Sequence, residues 1–346
     1  MHACSHGQGN LRSAGVVGAS GYAGTELLRL LAGHPNLEVV VAAAGGAAGT
    51  PVASHTPSLA AAYPSLDYEP IDVTRLAGLD VTFLALPHGE SQRLVPELGT
   101  TLVVDLAADF RLKDPALYPQ WYGKEHAAPH LLADFVYGLP ELSRHELRLT
   151  HRVAVPGCYP TAAAIALAPF TRAGVLDGAA VIVDAASGAS GAGRAPSDTL
   201  HFGTVDEDFR AYSLLTHRHT PEMEQVLGCS VVFTPHLAPM TRGILATCYA
   251  RPARPLSSAD AMAVLHEAYD SERFVVVTDA PPSTKATSGS NCVHVHAGVD
   301  ERTGWLLVVC ALDNLVKGAA GQAIQCANLA LDFDEGLGLP IAGVFP

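Results

Sequence analysis

Cys158 stands in the stretch "PGCYPTA" (156–162), and its neighbours suit chemistry better than simple burial. Proline is tolerated in the first turn of a helix, where the N–H it lacks would be unpaired anyway. Pro160 therefore starts a helix that carries Cys158 at or just before its N-terminus. The positive end of a helix favours a thiolate, the form of cysteine that attacks carbonyls. An ordinary thiol is only about 3% ionised at pH 7, and lowering its pKa by about 1.5 units makes about half of it thiolate. The sequence thus predicts an activated nucleophile. The other six cysteines (Cys4, Cys229, Cys248, Cys292, Cys310, Cys326) are scattered and form no Cys-x-x-Cys pair. That argues against a zinc ribbon or a disulfide framework and fits a reducing cytoplasm.

A reactive thiol needs a proton partner, and "HRHTPEME" (217–224) offers one. In an extended stretch His217 and His219 point the same way, and Thr220-Pro221-Glu222 opens a helix. Imidazole titrates near neutrality, which suits general acid–base work beside a thiol. A lone His-x-His without further spaced ligands does not make a metal site, so no metal is expected. His294 and His296 share the spacing inside a strand pattern and read as sheet residues.

Two glycine-rich stretches could hold anions. Gly18, Ser20, Gly21, Tyr22, Ala23 and Gly24 belong to "GASGYAG", between a predicted strand and a predicted helix. Glycines there allow a tight turn and a close backbone approach, while the helix N-terminus offers free N–H groups to a pyrophosphate. The second stretch, "SGASGAGRAPS" (187–197), contains Gly188, Ala189, Ser190, Gly191 and Arg194. Successive turns of this kind aim several N–H groups at one anion. It is not Gly-x-Ser-x-Gly, so a serine-hydrolase elbow is excluded. Arg111 and Lys317 are further candidate cations. These matter because the chain carries a formal charge of −13, which excludes a basic nucleic-acid face and repels acidic ligands at long range. An anionic substrate needs a local pocket of cations or amides.

The elements that must position these groups change character along the 346 residues. Apolar runs at 14–18, 37–44, 80–87 and 100–107 alternate with helical stretches, the pattern of a parallel, doubly wound α/β sheet of the Rossmann type. "ALPHGES" (85–91) ends one such strand on the carboxyl edge, where Pro87 and His88 would border a nicotinamide. No acidic residue ends the 37–44 strand to hold a ribose hydroxyl, which leans toward NADP, yet no arginine stands there either. After Cys158 strand follows strand (179–188, 229–239, 243–252, 273–279, 291–300, 304–313), predicting an α+β second domain of mostly antiparallel sheet. A last helix over 316–333 has apolar positions able to pack back on the first domain. The division expected is 11–157 plus 317–346 for the cofactor, 158–316 for catalysis, substrate and dimerisation, with 1–10 a loose tail. No apolar run of about 18 residues is present to span a bilayer as a helix, and no secretory signal pattern opens the chain.

Nine stretches ("GASGYAG", "FLALPHG", "ADFRL", "YGLPEL", "PGCYPTA", "SGASGAGR", "HRHTPE", "RGILAT", "DNLVKGAAGQA") occur in an order that resembles the aspartate-semialdehyde dehydrogenase-like family. Within it they resemble the arginine-pathway branch, the N-acetyl-γ-glutamyl-phosphate reductases. The resemblance implies a Rossmann domain for NADP(H), an α+β domain for catalysis and dimerisation, and a homodimer or homotetramer. By position Cys158 looks like the nucleophile that forms a thioester and His217 like the general acid/base. Arg111, His219 and Glu222 look like substrate-pocket residues, and Asn314 lies where the family approaches the nicotinamide. An acyl phosphate and inorganic phosphate are the small molecules implied. Two alternatives remain: a reductase of carrier-protein-bound aminoadipyl phosphate, which the acidic surface and "CYPTA" disfavour, and a non-catalytic NADP-binding protein.

Overall fold

The computed structural model describes residues 11–176 and 180–345. The expected loose tail therefore lies outside the described residues. Six strands form the first sheet: β1 (Arg12–Val17), β2 (Leu37–Ala43), β3 (Val81–Leu84), β4 (Leu102–Asp105), β5 (Val136–Tyr137) and β6 (Arg152–Ala154). Their spatial order is β2-β1-β3-β4-β6-β5, and every pairing is parallel. β3 and β4 are buried at every position, as the continuous apolar runs require of a sheet covered on both faces. Helix α1 (Tyr22–Leu31) follows β1 and buries Leu27, Leu28, Leu30 and Leu31.

Helix α2 (Cys158–Arg172) leaves the first sheet and is buried along nearly its whole length. It lies on the second sheet, built from β7 (Val181–Gly188), β8 (Arg210–Ala211), β9 (Val231–Ala238), β10 (Ile244–Ala250), β11 (Val275–Val277), β12 (Val293–Asp300) and β13 (Trp305–Leu312). The order is β11-β12-β13-β10-β7-β9-β8. The four pairings β12–β13, β13–β10, β10–β7 and β9–β8 are antiparallel, whereas β7–β9 and β11–β12 are parallel. Helix α3 (Thr220–Leu227) lies in the connection from β7 to β9, residues 278–292 make the connection from β11 to β12, and α4 (Ser258–Tyr269) lies between β10 and β11. α4 starts on a capping box, Ser257 with Asp260, worth roughly 0.5–2 kcal/mol.

The chain then returns to the first sheet. Val316–Ala320 forms a π-helical turn and α5 (Gly321–Ala330) follows. Ala320, Ala323, Ile324, Ala327 and Leu329 pack in one core with Val16, Leu27 and Val104. Each large apolar side chain so buried contributes roughly 1.5–3 kcal/mol, so this return is a fixed part of the fold. It brings Asn314 and Gly318 past Cys158.

Candidate active site

The turn after β1 is shaped by steric necessity. Gly18 has φ +79°, and a Cβ on it would stand 2.2 Å from the Ala85 carbonyl oxygen, while one on Gly24 would stand 2.2 Å from that of Gly18. Gly24 therefore seals the turn from behind and does not face the cleft. α1 has Gly21 as N-cap and no capping side chain, leaving its first N–H groups free. They open on a cleft of about 610 Å³ lined by Gly18, Ser20, Gly21, Tyr22, Ala23 and Pro87. Such a cradle fits the pyrophosphate of a dinucleotide. At the end of β2, Ala43 bridges to Glu69, whose carboxylate is paired with Arg75. Arg75 also donates to the Val40 carbonyl at 3.0 Å, so its guanidinium is committed to this edge of the sheet. His88 does not line this cleft: its Nδ1 lies 2.5 Å from Asp109 Oδ1, and its ring packs against Tyr122, the ring centres 4.2 Å apart and the planes tilted by 34°.

Cys158 is the first residue of α2 behind N-cap Gly157. It lines the dinucleotide cleft and also a second cleft of about 560 Å³. His219, Gly191, Ala192 and Ala195 are common to both, so the clefts meet around the thiol. Helix geometry alone predicts a lowered thiol pKa, but burial dominates and pushes it up to about 11, against N–H groups of Tyr159 and Cys158 that pull it down. In the free protein Cys158 is a thiol.

His217 and His219 do not lie on an extended strand. His219 is helical in φ/ψ as N-cap of α3, and its carbonyl accepts from the Met223 N–H at 3.1 Å. The two rings are 4.7 Å apart. The His219 backbone N–H donates to His217 Nδ1 at 3.1 Å, so a neutral His217 carries its proton on Nε2. Burial, helped by Arg218, lowers the His217 pKa to about 4. The ring is therefore a neutral Nε2–H donor at pH 7, below the near-neutral titration that an ordinary imidazole would show. His219 sits tightly against Gly157, where a Cβ would meet its Nε2 at 2.4 Å, and its buried Nδ1 has no partner.

Glu222 faces neither cleft. Its Oε1 accepts from the Gly157 N–H (2.8 Å) and the Tyr137 hydroxyl (2.9 Å), and its Oε2 lies 3.4 Å from Arg111. Arg111 lines the dinucleotide cleft but donates to the carbonyls of Val155 and Leu106, both at 2.8 Å. These two residues hold the β6–α2 junction that carries Cys158. The second glycine-rich stretch folds over the cleft: Asn314 Nδ2 donates to Ser190 Oγ at 2.9 Å, and Asn314 Oδ1 accepts from Gly243 at 2.7 Å. Arg194 donates to the Ser20 carbonyl at 3.0 Å, joining this loop to the first glycine turn. Gly188 lies against the Thr241–Arg242 backbone, and Ala189 faces a neighbouring cavity.

A family model described as "Semialdehyde dehydrogenase, NAD binding domain" matches residues 13–150, and one described as "Semialdehyde dehydrogenase, dimerisation domain" matches residues 158–314. The chain is 48% identical to an N-acetyl-γ-glutamyl-phosphate reductase of Symbiobacterium thermophilum, over 96% of this chain and 99% of that one. It belongs to the N-acetyl-γ-glutamyl-phosphate reductases of the semialdehyde dehydrogenase family. A reductase of the same name from Acidothermus cellulolyticus is also 48% identical, over 96% of this chain and 98% of the relative. Among solved structures, aspartate semialdehyde dehydrogenase II of Vibrio cholerae, complexed with ASA, has TM-score 0.70 at 14% identity, covering 94% of this chain and 99% of its own. The Candida albicans aspartate semialdehyde dehydrogenase with NADP gives 0.67 at 16%, covering 92% and 98%. Both share the fold.

For a reductase of this family, sequence reasoning missed three residues of the second cleft: Arg210, Tyr212 and Arg218. Arg218 was visible between the two histidines, whereas nothing local marks Arg210 or Tyr212. Lys317 is no anion-binding cation. It is fully buried with its Nζ 2.5 Å from Glu141 Oε1.

Proposed function

We propose that this chain catalyses the NADPH-dependent reduction of N-acetyl-γ-glutamyl phosphate to N-acetylglutamate 5-semialdehyde and phosphate, the arginine-biosynthetic reaction. The observation that carries the reading is the position of Cys158, at the junction of a dinucleotide cleft and a second cleft lined by arginines. Residues 11–157 with 317–346 form the cofactor unit and 158–316 the catalytic unit. The six described cysteines are all free, which suits a reducing cytoplasm.

The residues divide the work as follows. The Cys158 sulfur attacks the acyl carbonyl, the C–O bond to phosphate breaks, and the thiol proton leaves with the phosphate, giving a thioester. When bound, NADPH supplies the hydride that reduces this thioester. The oxyanion is met by the His217 Nε2–H and by N–H groups at the start of α2. It collapses to the aldehyde and expels the Cys158 thiolate, which takes up one proton from solvent through the histidines. The high thiol pKa makes that last protonation favourable. Glu222 and Arg111 act by positioning Gly157, and the Ser190–Arg194 loop with Asn314 closes over the reacting atoms.

Phosphate-dependent NADP reduction with N-acetylglutamate semialdehyde, compared with aspartate semialdehyde, tests the reading. Turnover of the acetylated aldehyde, lost in Cys158→Ser with NADPH binding unchanged, is expected. No turnover of the acetylated substrate removes the assignment.

A further inference from the structure

Two arginines line the second cleft beside Cys158, His217 and His219. Arg210 is already committed: it is paired with Asp208 and donates to the Thr199 carbonyl at 2.7 Å. Arg218 has neither a hydrogen bond nor an ion pair among the described residues, yet its charge reaches the ring of His217. Arg218 is exposed on this cleft, and in a chain with formal charge −13 a guanidinium beside Cys158 suits an anionic ligand.

The substrate proposed above carries two anionic groups. The phosphate is bonded to the carbonyl that Cys158 attacks, so it lies within a bond of the reacting carbon, where Arg111 and Arg194 line the dinucleotide side. The α-carboxylate is four C–C bonds further on, roughly 5 Å at about 1.5 Å per bond with tetrahedral angles. Arg218 lines the second cleft and not the dinucleotide cleft, so it faces the carbon skeleton of the acyl group. Its place in the chain between His217 and His219 ties whatever docks on it to the donor ring.

Resting on that reading of the reaction, we propose that Arg218 recognises the α-carboxylate of the substrate and thereby selects an α-acylamino acid over a simple acyl group. The planar fork of arginine matches a carboxylate bidentately, a geometry that lysine cannot reproduce. Tyr212, on the same cleft, offers a hydroxyl beside it.

The test uses the full chain in the oxidative direction, where aldehyde and phosphate are separate substrates. Arg218→Gln should raise KM for N-acetylglutamate semialdehyde roughly 10- to 100-fold, the span of one lost charge-assisted hydrogen-bond pair. KM for phosphate should stay within about twofold, since a distant charge is screened. With 4-acetamidobutanal, which lacks the α-carboxylate, the variant and the unmodified chain should perform alike, and Arg218→Lys should recover part of the loss. NADPH binding by fluorescence reports that the fold is intact. A rise in KM for phosphate instead, an equal loss on 4-acetamidobutanal, or no change overturns the assignment. Failure of the unmodified chain to oxidise the acetylated aldehyde overturns the underlying reading as well, and is seen before any variant is made.

Discussion

At the scale of single residues, the contest at Cys158 is between a helix end and burial. A helix N-terminus stabilises an anion by at most about 2 kcal/mol in partly buried geometries. A thiol moved from 9.0 to about 11 is disfavoured as thiolate by about 3 kcal/mol, and burial wins. Sequence placed Cys158 correctly at the start of its helix and left out the burial that raises its pKa, because the packing of Tyr159 and Gly318 around it is not written in "PGCYPTA". The prediction concerns pH. Since the folded pKa lies above neutrality, alkylation of Cys158 by iodoacetamide in the free protein should keep accelerating through about pH 9–10. Cys158→Ser separates its signal from that of Cys229, which is also partly exposed, while Cys248, Cys292, Cys310 and Cys326 are buried. A rate that levels off near pH 7 would show a preformed thiolate and reverse this account.

At the scale of elements, the return of the chain through the π-helical turn decides what stands next to the thiol. A Cβ on Gly318 would come within 2.8 Å of the Cys158 Cβ, so the turn must hold its position closely. Its neighbour Lys317 is anchored on Glu141 and on Gln325 Oε1, the latter at 2.8 Å. Breaking one side of a buried pair costs about 3–5 kcal/mol, while replacing both partners by apolar groups is often near neutral. Urea unfolding should therefore show Lys317→Met strongly destabilised and the pair Glu141→Leu with Lys317→Met recovering most of the loss. Simple additivity of the two single changes would deny the coupling. The sequence could not reveal this anchor: Lys317 sits in a run of Gly and Ala, and its partner is 176 residues away. For the same reason β5 and β6, of two and three residues, leave no period to read. Strands β1–β4 and the glycine turn were legible, because local sterics and unbroken apolar runs fix them.

At the scale of the whole molecule, the second sheet has one face packed under α2 and α4 and one face partly open. On β10 and β13 buried residues alternate with half-exposed ones, and the open side aligns Tyr249 with Leu307 and Ile182 and Thr247 with Val309. His294 and His296 extend it on β12, and Val232 on β9 is 48% exposed. An apolar patch spanning adjacent strands marks an association surface, and the part of the chain that carries it matches a model described as a dimerisation domain. A second copy is the occupant we propose. Two copies each with formal charge −13 repel, and only the apolar contact offsets this, so the sign of the salt effect follows. The Debye length grows from about 8 Å at 0.15 M to about 30 Å at 0.01 M, and lowering the ionic strength should weaken the dimer. Leu307→Glu, which places a carboxylate in the middle of the patch, should yield monomers by sedimentation velocity at micromolar concentration. Because the lining of the dinucleotide cleft contains neither Leu307 nor its neighbours on the patch, that monomer should still bind NADPH. An unmodified chain that sediments as a monomer, or a Leu307→Glu variant that associates as before, would move the interface elsewhere.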